Sequence, residues 1–386
     1  MSAIIGATLL YKKLRGKTTL LAWISLGSVA CVVSAALSPE TNSINLVFVS
    51  LILGAFAGLG IPTCLAFFAE NSNSKNRGRM ATVLFFLIQL LTFLIYIPIS
   101  GTDVYYQFLV LAGWRFLGVA SIFFFVPREG LSEERLTPLS SIIRERTFVL
   151  YFVPWFLFTL VNFVENALLE HYFGAELFGT YMVAALLIAS VSAFLGGAIC
   201  DFKGRKVSGV LGFILLGLGY GFLSLFPGTQ ISQILYVLFD GVAWGILYVT
   251  FIFVIWGDIS EGKAHERYYL LGCMPFLLSN MIEALVRPFA EFIQIATSFS
   301  LASLFLFVAV LPLLYAPETL SEKIMKDREL KNYIEKAKRE VAKAQEKDQD
   351  KAEKECEHEK AEQDDVEFEV GEENMEEAEA LAEKYY

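Results

Sequence analysis

The chain has 386 residues, 55% of them hydrophobic, with a mean hydropathy of +0.53. A soluble domain carries about a quarter charged residues, whereas this sequence carries 19%, which excludes an ordinary water-soluble globule for most of its length. The net charge of −10 belongs to residues 321–386, with 13 Lys and Arg against 23 Asp and Glu. That acidity argues against nucleic acid or anionic lipid as a tail partner and says nothing of what the body binds.

A helix needs about 20 apolar residues to cross the hydrocarbon core. Runs of that kind fall near 18–37, 45–69, 80–100, 104–126, 148–169, 175–200, 207–226, 231–256, 268–292 and 296–315, giving ten expected spans. MSAIIGATLLY at the start is an eleventh run of half the needed length. Its charges, Lys12, Lys13, Arg15 and Lys17, follow the apolar stretch, whereas a cleaved signal peptide carries them before it.

Loop charge sets the expected orientation. One set of alternate loops holds sixteen basic residues, from Lys12 through Lys75, Arg77 and Arg79 to Lys263 and Arg267, and the opposite set holds no Lys or Arg. The basic set, and with it the C-terminus, is expected on the cytoplasmic side of a multi-pass protein of the cell (plasma) membrane.

The sequence also repeats itself at an offset of about 190 residues. VPREGLSEERL at Val126 resembles APETLSEKIM at Ala316, and KNRGRM at Lys75 has a counterpart in KAHERYY at Lys263. The pair Gly54 and Gly58 recurs as Gly241 and Gly245, and GATLLYKKLRGK at Gly6 stands where GAICDFKGRK stands at Gly197. Copies with the same in/out sense are parallel repeats, related by an axis along the membrane normal.

Through Gly197, Asp201, Gly204, Arg205 and Lys206, the stretch GGAICDFKGRK resembles the cytoplasmic loop motif G-x-x-x-D-x-x-G-R-K of the major facilitator superfamily. The APETL ending of the last span and the RGR hairpin at Arg77 are similar to family features, and the resemblance covers residues 1 to about 320. Two departures stand out: Phe202 where the family usually places a basic residue, and Leu10 where the first-half copy should carry Asp.

The resemblance implies an all-α membrane protein of two pseudo-symmetric helical bundles, with five to six spans in residues 1–127 and six in 148–316. A central loop over 128–147 joins them, and a charged helical, then acidic tail follows from 317. It also implies a latch between the halves, in which Asp201 faces backbone amides at the start of the span near Arg79 while Arg205 pairs with the carboxylate; Arg77 and Arg79 complete it. A simple topogenic loop is the plainer alternative. The second half reaches the motif about 50 residues after its first span begins, and the first half reaches its copy at Gly6, so the sequence is expected to begin late, without the first family span and part of the second.

Polar residues at bilayer depth are the functional candidates. Asn162, Glu165, Asn166 and Leu169 share an expected face of the 148–169 span, with Glu165 roughly 26 Å in at 1.5 Å per residue, near the outer mouth. Asp240 lies deeper, with Trp244 one turn on. Asp240 and Glu165 are the candidates for substrate or proton binding, alongside Asn162, Asn166 and Trp244; an interfacial carboxylate and an interhelical hydrogen bond are the structural alternatives. Trp155 and Tyr236 serve equally as packing or as ligand contacts. Arg115 is expected to pair with a carboxylate or polar group in its own half, and Glu283, Arg287 and Glu291 to form a ladder at i, i+4 and i+8.

Cys31, Cys64, Cys200, Cys273 and Cys356 show no paired spacing, and no cofactor or metal is expected. No Walker motif and no His-rich or Ser/Lys cluster appears in the spans, which argues against an enzyme. In the tail, Leu330, Ile334, Ala337, Val341 and Ala344 form a seam of barely two heptads, suited to self-association, to a cytosolic partner or to a solitary charged helix. The expectation is a permease for a small solute working by alternating access, with protons as a possible co-substrate. The competing reading is a non-transporting sensor or scaffold signalling through its tail.

Overall fold

The computed structural model describes residues 17–37, 43–125 and 137–320, and toward the C-terminus 326, 330, 333–341, 375, 377–382 and 384. The opening run with Gly6 and Leu10, the linker copy VPREGLSEERL, and Ala344, Cys356 and His358 of the tail lie outside the described residues. The chain divides into two units, Met1–Ser321 and Glu322–Tyr386. In the second, residues 333–341 are helical and Arg339 pairs with Glu335 one turn earlier at 2.6 Å.

In the first unit every regular element among the described residues is a helix. α1 is Lys17–Leu37, α2 Ser43–Glu70, α3 Arg77–Ile99 and α4 Val104–Phe125. After the short α5 (Leu139–Arg144) come α6 Arg146–Phe173, α7 Ala175–Phe202, α8 Arg205–Leu225 and α9 Gln230–Leu247. α10 (Ile255–Ile259), α11 (His265–Leu277), α12 (Ser279–Val286) and α13 (Ile295–Tyr315) complete the unit. Among the described residues, nine helical stretches are long and apolar enough to cross a membrane, and α4 is a tenth helix of 22 residues with Arg115 in its middle. Their outer faces expose Leu51, Leu117, Val191 and Leu304, the surface that hydrocarbon accepts without cost.

Two of these spans differ from the expected continuous helix. Tyr248–Val254 is a π-helical segment joining α9 to α10, so one irregular span runs from Gln230 to Ile259. The span expected at 268–292 begins earlier, at His265, and is interrupted after Leu277; from Arg287 it tightens into a 3-10 turn through Phe292 with Pro288 near its start. Proline has no N–H to give the ladder. The expected ladder changes accordingly: Arg287 bonds Glu283 at 2.8 Å, but its second carboxylate is Glu170 of α6 at 2.7 Å.

Small residues set how closely the helices pack. A Cβ on Gly241 would lie 2.7 Å from the Ala185 carbonyl oxygen, and one on Gly245 would lie 2.5 Å from that of Ala189, so this pair lets α9 touch the α7 backbone. The repeat-related Gly54 has nothing within 4 Å of such an atom and lines a cavity with Gly58. Between the halves, α3 packs on α7 and on the π segment, and α2 packs on α11.

Among the described residues Arg115 meets a ring and not a carboxylate: its guanidinium lies over Trp23 at 5.2 Å. Gly27 makes the room, since a Cβ there would lie 2.2 Å from the guanidinium. A cation over an indole face is attracted by the ring quadrupole, which gives the half-buried charge a partner within α1 and α4.

Candidate functional site: a central cavity and a buried charge seam

A cavity of about 770 Å³ lies between the halves. α2 and α3 contribute residues that include Gly54, Gly58, Phe85 and Gln89; α6, α7, α9, the start of the π segment at Tyr248 and the α11–α12 region supply the rest. Asn162, Asn166, Asp240 and Trp244 all line it. Asp240 is 3% exposed and its Oδ1 has no hydrogen-bond partner among the described residues. Asn162 is held from both sides, its Oδ1 accepting from Tyr220 Oη at 3.0 Å and from Trp244 Nε1 at 3.2 Å. That fixes the amide and also the ring of Trp244.

Glu165 does not join them at the cavity wall. Its Oε1 accepts from Ser298 Oγ of α13 at 2.7 Å, and Oε2 is buried without a hydrogen-bond partner among the described residues. Positions i+3 and i+4 sit on either side of one helical turn, about 100° apart at 3.6 residues per turn. One shared face at 3–4 spacing therefore splits here: Asn162 and Asn166 turn to the cavity and Glu165 turns into the second half. Leu169 is fully buried, and Trp155 and Tyr236 are packing residues, stacked on Phe251 and Tyr220 respectively. Both Asp240 and Glu165 lie within electrostatic reach of the Tyr220–Tyr236 pair.

At the basic-loop end, α7 meets the start of α3. Asp201 is fully buried and its carboxylate accepts from Gly78 N at 2.9 Å, Arg79 N at 3.0 Å and Arg79 Nε at 3.3 Å. Unsatisfied N–H groups of a helix start and its dipole both favour an anion there. Arg205, also fully buried, reaches Asp201 at 3.3 Å, the Cys200 carbonyl at 2.6 Å and the Ser74 carbonyl at 2.6 Å. The backbones approach closely enough that a Cβ on Gly197 would lie 2.6 Å from the Gly78 carbonyl oxygen. One turn further along, Thr82 Oγ1 donates to the Ala193 carbonyl at 2.9 Å.

A residue missed in the sequence completes this seam. Asp258 of α10 is buried between two guanidinium groups, Arg205 Nε at 2.7 Å and Arg77 Nη1. Two carboxylates and two buried guanidinium groups thus balance, and Arg77 also donates to the Ala69 carbonyl at 2.9 Å. The repeat held the signal: Lys263 follows Lys75 by 188 residues, and Asp258 follows Glu70 by the same 188. Phe202, the departure from the family pattern, carries the Arg79 guanidinium over its ring at 5.4 Å.

Gly204 and Lys206 serve the adjoining helix start. Gly204 adopts φ 107°, a conformation that L side chains rarely take, as the residue preceding α8. Glu318 of the APETL segment accepts from Arg205 N at 2.8 Å and Lys206 N at 3.2 Å, so the end of the last span caps the start of α8. Lys206 Nζ donates in turn to the Leu314 carbonyl at the end of α13. On the other flank, Lys263 bonds Glu145 and Tyr268 at 3.1 and 2.9 Å. Burial disfavours the Lys263 ammonium, but these bonds outweigh it and raise its pKa above the usual lysine value.

These features define a multi-pass membrane protein in which two helical halves enclose a central cavity and a neutralised charge cluster joins them at one end. The sequence model of the Major Facilitator Superfamily matches residues 2–268, and the chain belongs to that family. Solved structures with this fold include the proton:xylose symporter XylE bound to 6-bromo-6-deoxy-D-glucose, at 15% identity and TM-score 0.64, covering 82% of this chain and 83% of that chain. The fucose:proton symporter FucP of E. coli matches at 16% identity and TM-score 0.56, covering 82% and 88%. The human organic anion transporter MFSD10 matches at 14% and 0.60, covering 81% and 80%. Among curated proteins, none matches the chain.

Proposed function

We propose that the chain is a secondary transporter that moves a small solute by alternating access, with the 770 Å³ cavity as its binding site and Asp240 as the group that couples solute to protons. One observation carries the reading: the single carboxylate among the described lining residues is nearly buried there and has an oxygen without a hydrogen-bond partner among the described residues. A carboxylate left unpaired in an apolar cavity is costly; a solute or a proton would compensate it in turn. Two of the similar structures are of proton symporters, which supports coupling to protons.

In this reading residues 1–127 and 148–316 are the halves that rock, 128–147 links them, and the tail from 317 lies on the cytoplasmic side of the plasma membrane with the basic loops, open to self-association or a cytosolic partner. The latch is the seam of Gly197, Asp201, Gly204, Arg205, Lys206, Arg77 and Arg79, to which Asp258 is added. It is closed in this conformation. In the opposite state its backbone and side-chain bonds are released together. Glu165 is a second proton site within the second half.

The test is flux in proteoliposomes under an imposed pH gradient, for wild type, Asp240→Asn and Glu165→Gln, across a panel of solutes. Gradient-driven flux lost in Asp240→Asn is the expected result. Flux that persists unchanged in that variant rules out Asp240 as the coupling group.

A further inference from the structure

We propose that the cavity takes an organic cation with aromatic or other bulky apolar groups, its charge at Asp240 and its bulk extending into a second chamber alongside. This rests on the reading of the cavity as the transport site and adds the chemical class of the solute.

Charge is the first argument. No Lys, Arg or His is among the described residues lining the cavity, and Asp240 is the only carboxylate there. An anionic solute would find no counter-charge and would be repelled by Asp240. A cation would complete the unpartnered oxygen, and Coulomb attraction is strongest where water is excluded.

The rings are the second argument. Phe163, Trp244, Tyr248 and Phe276 line the same cavity and form one cluster, with Trp244 edge-on to Phe163 and to Phe276 at 6.4 Å each and 6.1 Å from Tyr248. The bond to Asn162 fixes the indole. A carboxylate beside fixed aromatic faces is the chemistry that recognises organic ammonium and phosphonium ions, through charge pairing and attraction to the ring quadrupoles.

The third argument is the neighbouring chamber. It has about 570 Å³ and lies against the first, with Phe85, Gln89, Tyr248, Phe276 and Leu277 lining both. Its further lining includes Trp23, Ile88, Phe253 and Cys273, and no charged side chain is among its described lining residues. Asn71, Gln89 and Tyr248 are the hydrogen-bonding amides and hydroxyl among its described lining residues, too few for the several hydroxyls of a sugar, whose burial without partners is costly. The chamber suits apolar rings, and each volume lies in the range of drug-sized sites.

The experiment is equilibrium binding of radiolabelled tetraphenylphosphonium to the purified full chain in nanodiscs, with tetraphenylborate as the anion of the same shape and tetramethylammonium as a cation without the bulk. The expected result is saturable phosphonium binding, not displaced by the borate and lowered tenfold or more by Asp240→Asn. Ile88→Trp, which fills the second chamber, should weaken the phosphonium fivefold or more and leave competition by tetramethylammonium unchanged. Equal binding of borate and phosphonium to wild type, or phosphonium binding indifferent to both substitutions, overturns the inference; the wild-type comparison holds even if a variant fails to fold. Phosphonium binding of this pattern without flux of any solute keeps the inference and rejects transport. Flux of a neutral sugar by a chain that binds neither ion keeps transport and overturns the inference.

Discussion

Asp201 accepts the backbone N–H of Gly78 at 2.9 Å, across the boundary between the two halves of the molecule. A carboxylate at the end of one span is thus held by the first turn of a span in the other half. No side chain on Gly78 takes part, and its missing Cβ is what admits the contact: an added one would lie 2.7 Å from Asp201 Oδ1. The seam is therefore a close backbone fit with charges around it, which makes its closure sensitive to single atoms.

Removing Asp258 is the most damaging change to the seam. Asp258→Ala leaves Arg77 and Arg205 short of their shared carboxylate while both stay buried. Breaking a buried pair from one side costs about 3–5 kcal/mol. We expect a clearly lowered melting temperature in detergent for Asp258→Ala and little change for the exposed Lys203→Ala. Equal melting temperatures would contradict the burial of this network.

Glycine substitutions should separate fit from charge. Gly197→Ala forces a methyl against the Gly78 carbonyl oxygen and Thr82, whereas Gly54→Ala meets nothing within 4 Å. Helical Gly→Ala without a clash gains roughly 0.5–1 kcal/mol, so Gly54→Ala is expected to be neutral or stabilising. Gly197→Ala should part α3 from α7 and speed alkylation of the buried Cys200, followed by peptide mass analysis. Protection of Cys200 unchanged by Gly197→Ala would show that the seam does not depend on this approach.

Asn162 and Asn166 both line the cavity, but only Asn162 is shown clamped. Asn162→Leu orphans the Tyr220 hydroxyl and the Trp244 N–H, each at about 1–3 kcal/mol. Asn166 is partly exposed, so Asn166→Leu should cost well under that. Thermal unfolding of the two variants, compared directly, checks the difference. If Asn166→Leu proves the more damaging, the bonding assigned to Asn162 is wrong.

Glu318 ties the last span to α8. Glu318→Ala removes the acceptor for two backbone amides, and loss of an N-terminal cap costs about 0.5–2 kcal/mol. Faster hydrogen exchange at Arg205 and Lys206 is the expected signature. Exchange unaffected at those two amides would remove the capping role.

Much of the fold was legible because the bilayer simplifies the rules. A span must be a long apolar helix, so hydropathy located the described spans to within a few residues. The seam was legible through one motif with strict roles: glycines for approach, an acid for a helix start, a base beside it. What hydropathy cannot see is how a span bends, and the π segment at Tyr248–Val254 and the 3-10 turn at Arg287–Phe292 carry the same apolar composition as straight helix. Single-sequence spacing also blurred the face of α6, where Glu165 and Asn166 are neighbours in sequence yet reach different environments. Arg115 was read for a carboxylate or polar group because ion pairing and hydrogen bonding are the commoner partners, and nothing in its own segment announces Trp23.

Asp258 was overlooked for a different reason. It lies two residues beyond the expected 231–256 span and outside the loop motif, although the repeat sets it opposite Glu70. The first-half copy of the motif and its repeat-related partner are altered in sequence at both ends: Leu10 stands where Asp201 stands, and Glu266 stands at the offset of Gly78. An acid in place of the glycine and an apolar group in place of the acid are complementary losses, and they leave Asp201–Gly78 as the copy with the full set of groups.

The most direct test of the account is whether this seam opens. Nitroxide labels at Asn73 and Lys203, both exposed and on opposite sides of the boundary, report the separation of α3 and α7 by pulsed electron spin resonance. Two distance populations are predicted in wild type, with the longer one enriched in Asp201→Asn and in Gly197→Ala. A single short distance, unchanged by either substitution and by any solute that the protein carries, would contradict a rocking of the two halves about the cavity.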